Sequence, residues 1–328
     1  FYGRALGRDD DSAGLDELHG VFYPELAGLA AAHWPAAALR AAKGLFHARG
    51  MQRLARELRA ERPDVIHFQW LPLPVLDRLF LGALRRIAPL VLTAHDTRPL
   101  VPSALMRLGA NRILTAFDRV IVHTEEARSR LIAQGVRPPN LVRVPHGLLH
   151  DEAPAAAVPK RVDEPVLFLL FGKVKPYKGA DLLIEAFRRL PAELRSRARL
   201  AIVGKPYMDV APLVKAAAGL EQQIRLDFRF VPDDEMKALL ARADVIVFPY
   251  REIDVSGVLM AALPHRRPII ASRIGGFAEL LVDGRHGLLV PPGDVRALSA
   301  AMRRLCEEPL TRGHMARHIA ALCDGLPS

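Results

Sequence analysis

The chain has 328 residues, half of them apolar and a quarter charged, with a net charge of +10 and only two cysteines. That length makes two domains the natural division, each able to bury its own core. The composition excludes a disordered or disulfide-stapled chain, and no apolar run is long enough for a membrane span, the most apolar region (Leu79 to Ala94) being broken by Arg85 and Arg86.

The excess positive charge points to an anionic partner, whether a phosphate backbone, a lipid headgroup or a small anionic substrate. Cys306 and Cys323 fit a reducing cytoplasm. The first residues show no charged-then-apolar leader, so the expected location is the cytoplasm.

Residues 1 to 45 read as loops around short helices, with Asp9-Asp10-Asp11 and scattered Gly and Pro. Leu39 to Glu61 follows a helical, basic pattern that ends at Pro63-Asp64. Such a helix is a candidate for resting on the anionic inner face of a membrane and presenting a lipid-linked acceptor; a solvated basic face is the plainer reading. Strands are expected at Asp64–Phe68, Leu90–Asp96, Arg119–Thr124 and Leu141–Gly147, with helices at Val75–Arg86, Ser103–Phe117 and Glu125–Gln134 between them. Alternation of this kind implies a parallel sheet covered by helices.

Residues 148 to 164 lose all periodicity and are rich in Pro and charge. A linker at 151–164 is therefore expected, separating a first domain at 1–150 from a second at 165–328. The second domain repeats the rhythm, with strands near 166–171, 199–203, 224–230, 244–249, 268–272 and 287–290. The expected architecture is α/β, two doubly wound parallel-sheet (Rossmann-like) domains facing each other across a cleft.

Polar residues gather at the carboxyl ends of these strands. Gly172-Lys173 ends one, and Lys178-Gly179 opens the helix that follows. Glycine admits close backbone approach, and a helix start with two lysines suits a diphosphate; two surface lysines beside a turn is the alternative. Ser256-Gly257 starts another helix after a strand, a position for capping or for binding an anion. Glu252 and Asp254, just before it, are candidates to bond sugar hydroxyls or to balance a lysine. His95-Asp96 ends a strand of the first domain, where His95 can meet a substrate or serve as a structural histidine. His67, His123 and His146 lack metal-ligand spacing. No Gly-x-Gly-x-x-Gly, Walker A loop, nucleophile elbow or nucleic-acid module is present.

Taken in order, these motifs resemble the retaining GT-B glycosyltransferases of family 4, the group 1 glycosyl transferases. The resemblance covers about residues 60 to 310. It rests on Phe171-Gly172-Lys173 with Lys178-Gly179, Ala201 to Gly204, Ala243 to Pro249, Arg267 to Ser272, Ile274 to Glu279 and Asp283 to Asp294. Pro63 to His67, Thr93 to Asp96 and Val144 to Gly147 extend it into the first half.

The resemblance implies a GT-B fold whose second domain binds a nucleotide-sugar donor and whose first binds a glycan, lipid-linked or small-molecule acceptor. It implies hexosyl transfer with retention, and no cofactor or metal. Lys173 and Lys178 take the diphosphate positions, Lys173 standing where Arg is more usual, and His95 takes the place of the cleft histidine. The family's pair of glutamates, eight positions apart, falls on Ile253 and Ala261, with Glu252 and Asp254 flanking the first. No family-like first strand and Gly-rich loop is evident in residues 1 to 45, and the family's last helix is missing after Ser328, so truncation at both ends is expected. The altered glutamate pair keeps open a non-catalytic nucleotide- or glycan-binding protein, and more remotely a sugar-nucleotide epimerase.

Overall fold

Short apolar runs bounded by Pro, Gly and Asp become strands, and the periodic runs between them become helices. The computed structural model describes residues 2–4, 19–22, 36–97, 113–148 and 164–326. Its contacts separate two units, residues 1–122 with 127–144 and residues 123–126 with 145–328.

In the first unit β1 (Tyr2–Arg4) and β2 (His19–Phe22) form a parallel pair. This corrects the expectation of loops and helices there; strands of three and four residues are too short to display a period. Then come α1 (Ala36–Glu61), β3 (Ile66–Phe68), α2 (Pro74–Arg85), β4 (Leu90–Thr93), β5 (Arg119–Val122), α3 (Glu125–Ala133) and β6 (Leu141–Arg143). Strands β3-β4-β5-β6 make a parallel sheet in that order. Leu90, Leu92, Val120 and Val122 form a core with Met51, Leu54 and Leu58 of α1 and Leu81 and Leu84 of α2. Of the expected helix at 103–117, and of the linker at 151–164, most lies outside the described residues.

Helices α1 and α2 are joined by a buried polar tie. His47 Nε2 lies 2.5 Å from Asp77 Oδ1, and both side chains are buried. The other Asp77 oxygen accepts the Leu73 N–H at 3.0 Å, fastening the start of α2 just before Pro74.

The second unit runs β7 (Val166–Phe171), α4 (Ala180–Arg188), α5 (Ala192–Ser196), β8 (Ala198–Val203), α6 (Ala211–Ala217), β9 (Ile224–Asp227), α7 (Asp233–Arg242) and β10 (Val245–Phe248). It continues through α8 (Gly257–Ala262), β11 (Ile269–Ser272), α9 (Gly275–Leu280), β12 (Gly287–Val290), α10 (Val295–Glu307) and α11 (Pro309–Asp324). Six parallel strands lie in the order β12-β11-β10-β7-β8-β9. Both faces are covered, so the central strands are apolar throughout. Phe168 and Leu170 of β7 pack with Leu183, Ile184 and Phe187 of α4, whereas Leu169 and Phe171 pack with Leu259 and Phe277. Strand β9 stops at Asp227, short of the expected residue 230. There Asp227 bonds Arg225 and Arg229, and Arg229 reaches on to Glu235 of α7.

This strand order decides where a ligand can sit. The chain leaves β7 for β8 and β9 on one side, then returns to place β10 on the other. The two connections diverge from neighbouring strands and open a crevice at the carboxyl ends of β7 and β10.

Breaking the His47–Asp77 pair would leave a polar group buried without its partner. Asp77→Ala is expected to lower unfolding free energy by about 3 kcal/mol in a urea titration. A loss below about 1 kcal/mol would contradict the tie.

Candidate functional site

At the end of β7 the chain turns through Gly172, whose φ is +109°. A Cβ there would stand 3.0 Å from Lys178 Nζ and 3.0 Å from Val258 of α8, so the glycine makes room for the lysine head. The turn is then fastened to the loop after β8. Val174 donates its N–H to the Lys205 carbonyl and accepts from the Tyr207 N–H, both at 2.9 Å. This places the Tyr207 ring 5.7 Å from Lys173 Nζ and 5.7 Å from Lys175 Nζ. A short 3₁₀ turn at Pro176–Lys178 leads to Gly179 in the left-handed region, with φ +68°. There a Cβ would collide with the Pro249 carbonyl oxygen at 2.1 Å, so the loops after β7 and β10 touch backbone to backbone.

Lys178 is only 5% exposed. Its ammonium lies 5.1 Å from the centre of the Tyr250 ring. Among the described residues Lys173, Lys175 and Lys178 have no carboxylate partner. Burial, then repulsion from Lys175 and Lys173, pulls the Lys178 pKa down from 10.5 to about 8. A cation held this way suits an anion, and none of the described residues supplies one.

The loop after β10 supplies the other wall. Tyr250 is fully buried, and that burial, with Tyr177 beside it, lifts its phenol far above the ordinary tyrosine value, against a weaker pull from Ser256. Arg251 staples this loop to the lysine loop. Its guanidinium forms two bonds to Asp181 at 2.9 and 2.6 Å and one to the Pro176 carbonyl at 2.9 Å. Burial pushes the Asp181 carboxyl up, but Arg251 outweighs it and holds the group below the usual carboxylate range. Ser256 caps α8, its hydroxyl accepting the Leu259 N–H at 3.3 Å.

The crevice thus gathers Gly172, Lys173, Lys178, Ser256 and Gly257, five of the residues singled out in the sequence. Glu252 and Asp254 share the loop but not its surface. Glu252 is exposed, while Asp254 is 2% exposed and its carbonyl accepts the Gly276 N–H at 2.9 Å. Ala261 is buried in α8.

His95 follows β4 in the first unit. Its Nε2 donates to Gln69 Oε1 at 2.9 Å, and its ring stacks on Trp70 at 5.0 Å with 23° between the planes. Trp70 is 61% exposed. Thr93 Oγ1 lies 2.8 Å from His67 Nε2. Sequence reasoning missed Gln69 and Trp70, although both directly follow the strand residues Ile66–Phe68, the same signal that picked out His95.

Comparison with known proteins places these features in company. Residues 165–308 match the family model for "Glycosyl transferases group 1", and residues 18–152 that for "Glycosyltransferase Family 4". A D-inositol 3-phosphate glycosyltransferase of Nocardioides sp. is 28% identical, over 77% of this chain and 62% of the relative. A GDP-mannose-dependent alpha-(1-6)-phosphatidylinositol monomannoside mannosyltransferase of Mycolicibacterium smegmatis is 29% identical, over 64% of this chain and 57% of the relative. The chain therefore spans about three-fifths of the length of these curated relatives. Among solved structures, Anabaena HepE in complex with UDP-glucose has a TM-score of 0.70 at 17% identity, over 85% of this chain and 78% of that one.

Lys178 carries a testable cost. Its pKa is depressed in the folded state, so below about 8 the lysine is charged in both states and the full penalty applies. Between about 8 and 10.5 the unfolded chain binds more protons, so stability rises with pH. Lys178→Met is expected to gain about 1–3 kcal/mol at pH 7 and to lose that extra rise. A variant no more stable than the parent at pH 7 would argue against the strained cation.

Proposed function

The chain belongs to the group 1 glycosyl transferases of family 4 and has the GT-B fold, and on that premise we propose that it moves a hexosyl group from a nucleoside-diphosphate sugar to a glycan, lipid-linked or small-molecule acceptor with retention. The observation that carries this reading is the group of lysines without a described carboxylate partner at the switch point of the second sheet.

As the glycosidic bond to the donor phosphate breaks, negative charge builds on the leaving diphosphate. Lys173 and Lys178 meet that charge, and the first N–H groups of α8, after Ser256-Gly257, add fixed dipoles. Before a donor binds, Lys178 is partly neutral near pH 8. A diphosphate restores its full charge, so binding the donor relieves the cost of burying the lysine. The Arg251–Asp181 staple holds the lysine loop and the Ser256 loop in register before the donor arrives.

Glu252, exposed on the loop, orients the donor sugar through its hydroxyls, while Asp254 supports the loop from within. His95 serves the acceptor side, and the open Trp70 face beside it suits the apolar face of a sugar ring. We assign no protein nucleophile. One observation favours a second reading: Ala261, buried where family members carry a glutamate, offers no ribose contact, as in a protein that binds a sugar nucleotide without turning it over.

A panel of UDP- and GDP-sugars, followed by calorimetry and by release of nucleoside diphosphate, separates the two. The transferase reading expects turnover of at least one donor, and about a 10²- to 10³-fold loss of kcat/KM in Lys178→Gln. Binding without turnover across donors and acceptors would favour the second reading.

A further inference from the structure

A cluster of arginines lies at the end of the first sheet opposite to His95. A cavity of about 430 Å³ opens where α1 and α2 end, lined by Arg59, Arg62, Pro63, Ala83, Arg86 and Ile87. Pro63 precedes β3 and Ile87 precedes β4, so the cavity sits at the amino ends of these strands. Trp70 and His95 follow the carboxyl ends of the same strands. The cavity therefore has no part in the site already described.

Three facts make it more than a basic surface. First, its guanidiniums are idle. Arg85 pairs with Asp118 at 2.5 Å, but among the described residues Arg59, Arg62 and Arg86 have no side-chain hydrogen bond or ion pair. Arginines at helix ends are usually explained by the helix dipole or by capping of the last carbonyls, yet the guanidiniums of these three donate to no described carbonyl.

Second, Arg62 holds a strained backbone. Its φ is +52°, in the position after α1 where glycine normally stands, and its N–H closes the turn on the Leu58 carbonyl at 3.0 Å. Arginine strains this turn where glycine would not. Third, the outer faces of the two helices mix cations with exposed aliphatics. On α1 Leu45, Arg49 and Arg56 are exposed, and on α2 Val75, Arg78 and Leu79, the last at 75%.

We propose that this face docks on an anionic phospholipid membrane, with a headgroup phosphate held in the Arg59–Arg62–Arg86 cavity and Leu79 and Val75 entering the headgroup layer. Charge complementarity selects a phosphate-bearing partner, and the aliphatic side chains select a bilayer over a soluble phosphate. No described helix is long and apolar enough to cross a membrane, so contact is peripheral. The proposal does not depend on sugar transfer.

The test is sedimentation of the full chain with phosphatidylcholine vesicles, with and without phosphatidylglycerol, across a salt series. Binding is expected only with the anionic lipid and is expected to weaken as salt rises. Arg59→Gln with Arg86→Gln should lower partitioning on the order of tenfold, and Leu79→Ser should lower it without changing the salt slope. Arg62→Gly should weaken vesicle binding while raising the denaturation midpoint, which a purely structural arginine would not do. UDP and GDP binding should be unchanged in all of them. Equal vesicle binding by the double variant would overturn the proposal. So would glycerol phosphate or duplex DNA binding as well as vesicles do, which would mark a soluble-phosphate or general polyanion site.

Discussion

A lysine buried against an aromatic ring, with no carboxylate among the described residues to answer it, is the constraint on which the second unit turns. Moving its pKa from 10.5 to about 8 corresponds to about 3 kcal/mol, a sizeable share of a domain's net stability. A fold selected for stability alone would pair that ammonium or replace it. Here the surroundings preserve it instead. Gly172 leaves space for the head, Tyr250 offers its face, and Lys173 and Lys175 add like charge. On the proposed reading, an incoming diphosphate would turn that like charge from a cost into a contact.

Geometry then explains why two loops far apart in sequence build one site. The order β12-β11-β10-β7-β8-β9 puts β7 beside β10 and sends their connections in opposite directions. The crevice left between them belongs to the topology, and the loops need only stay in it. Gly179 under the Pro249 carbonyl and Arg251 on Asp181 keep them there. The aliphatic layers on both faces of β7 supply the rigid floor.

Much of this was legible in the chain itself. The six strands of the second unit announce themselves because each is a fully buried apolar run with turn residues at its ends, and Lys173, Lys178 and Ser256-Gly257 stand out as polar groups at those ends. Periodicity cannot reveal pairings made across 70 residues, so the Arg251–Asp181 staple came only from the fold. The contact of Lys178 with Tyr250 in the opposite loop was hidden for the same reason. Glu252 and Asp254 look alike in sequence, yet one faces solvent and the other is enclosed. Strands β1 and β2 were missed because three or four residues do not establish an alternation.

The central claim, that Lys178 waits for a diphosphate, is a claim about protons. Titration calorimetry of UDP and GDP at pH 8.5, in buffers of different ionisation enthalpy, measures it directly. Binding to the parent protein should take up on the order of half a proton, because the diphosphate raises a depressed lysine pKa, and Lys178→Met should take up none. Binding without proton uptake, or with the same uptake in the variant, would show that the anion site lies elsewhere.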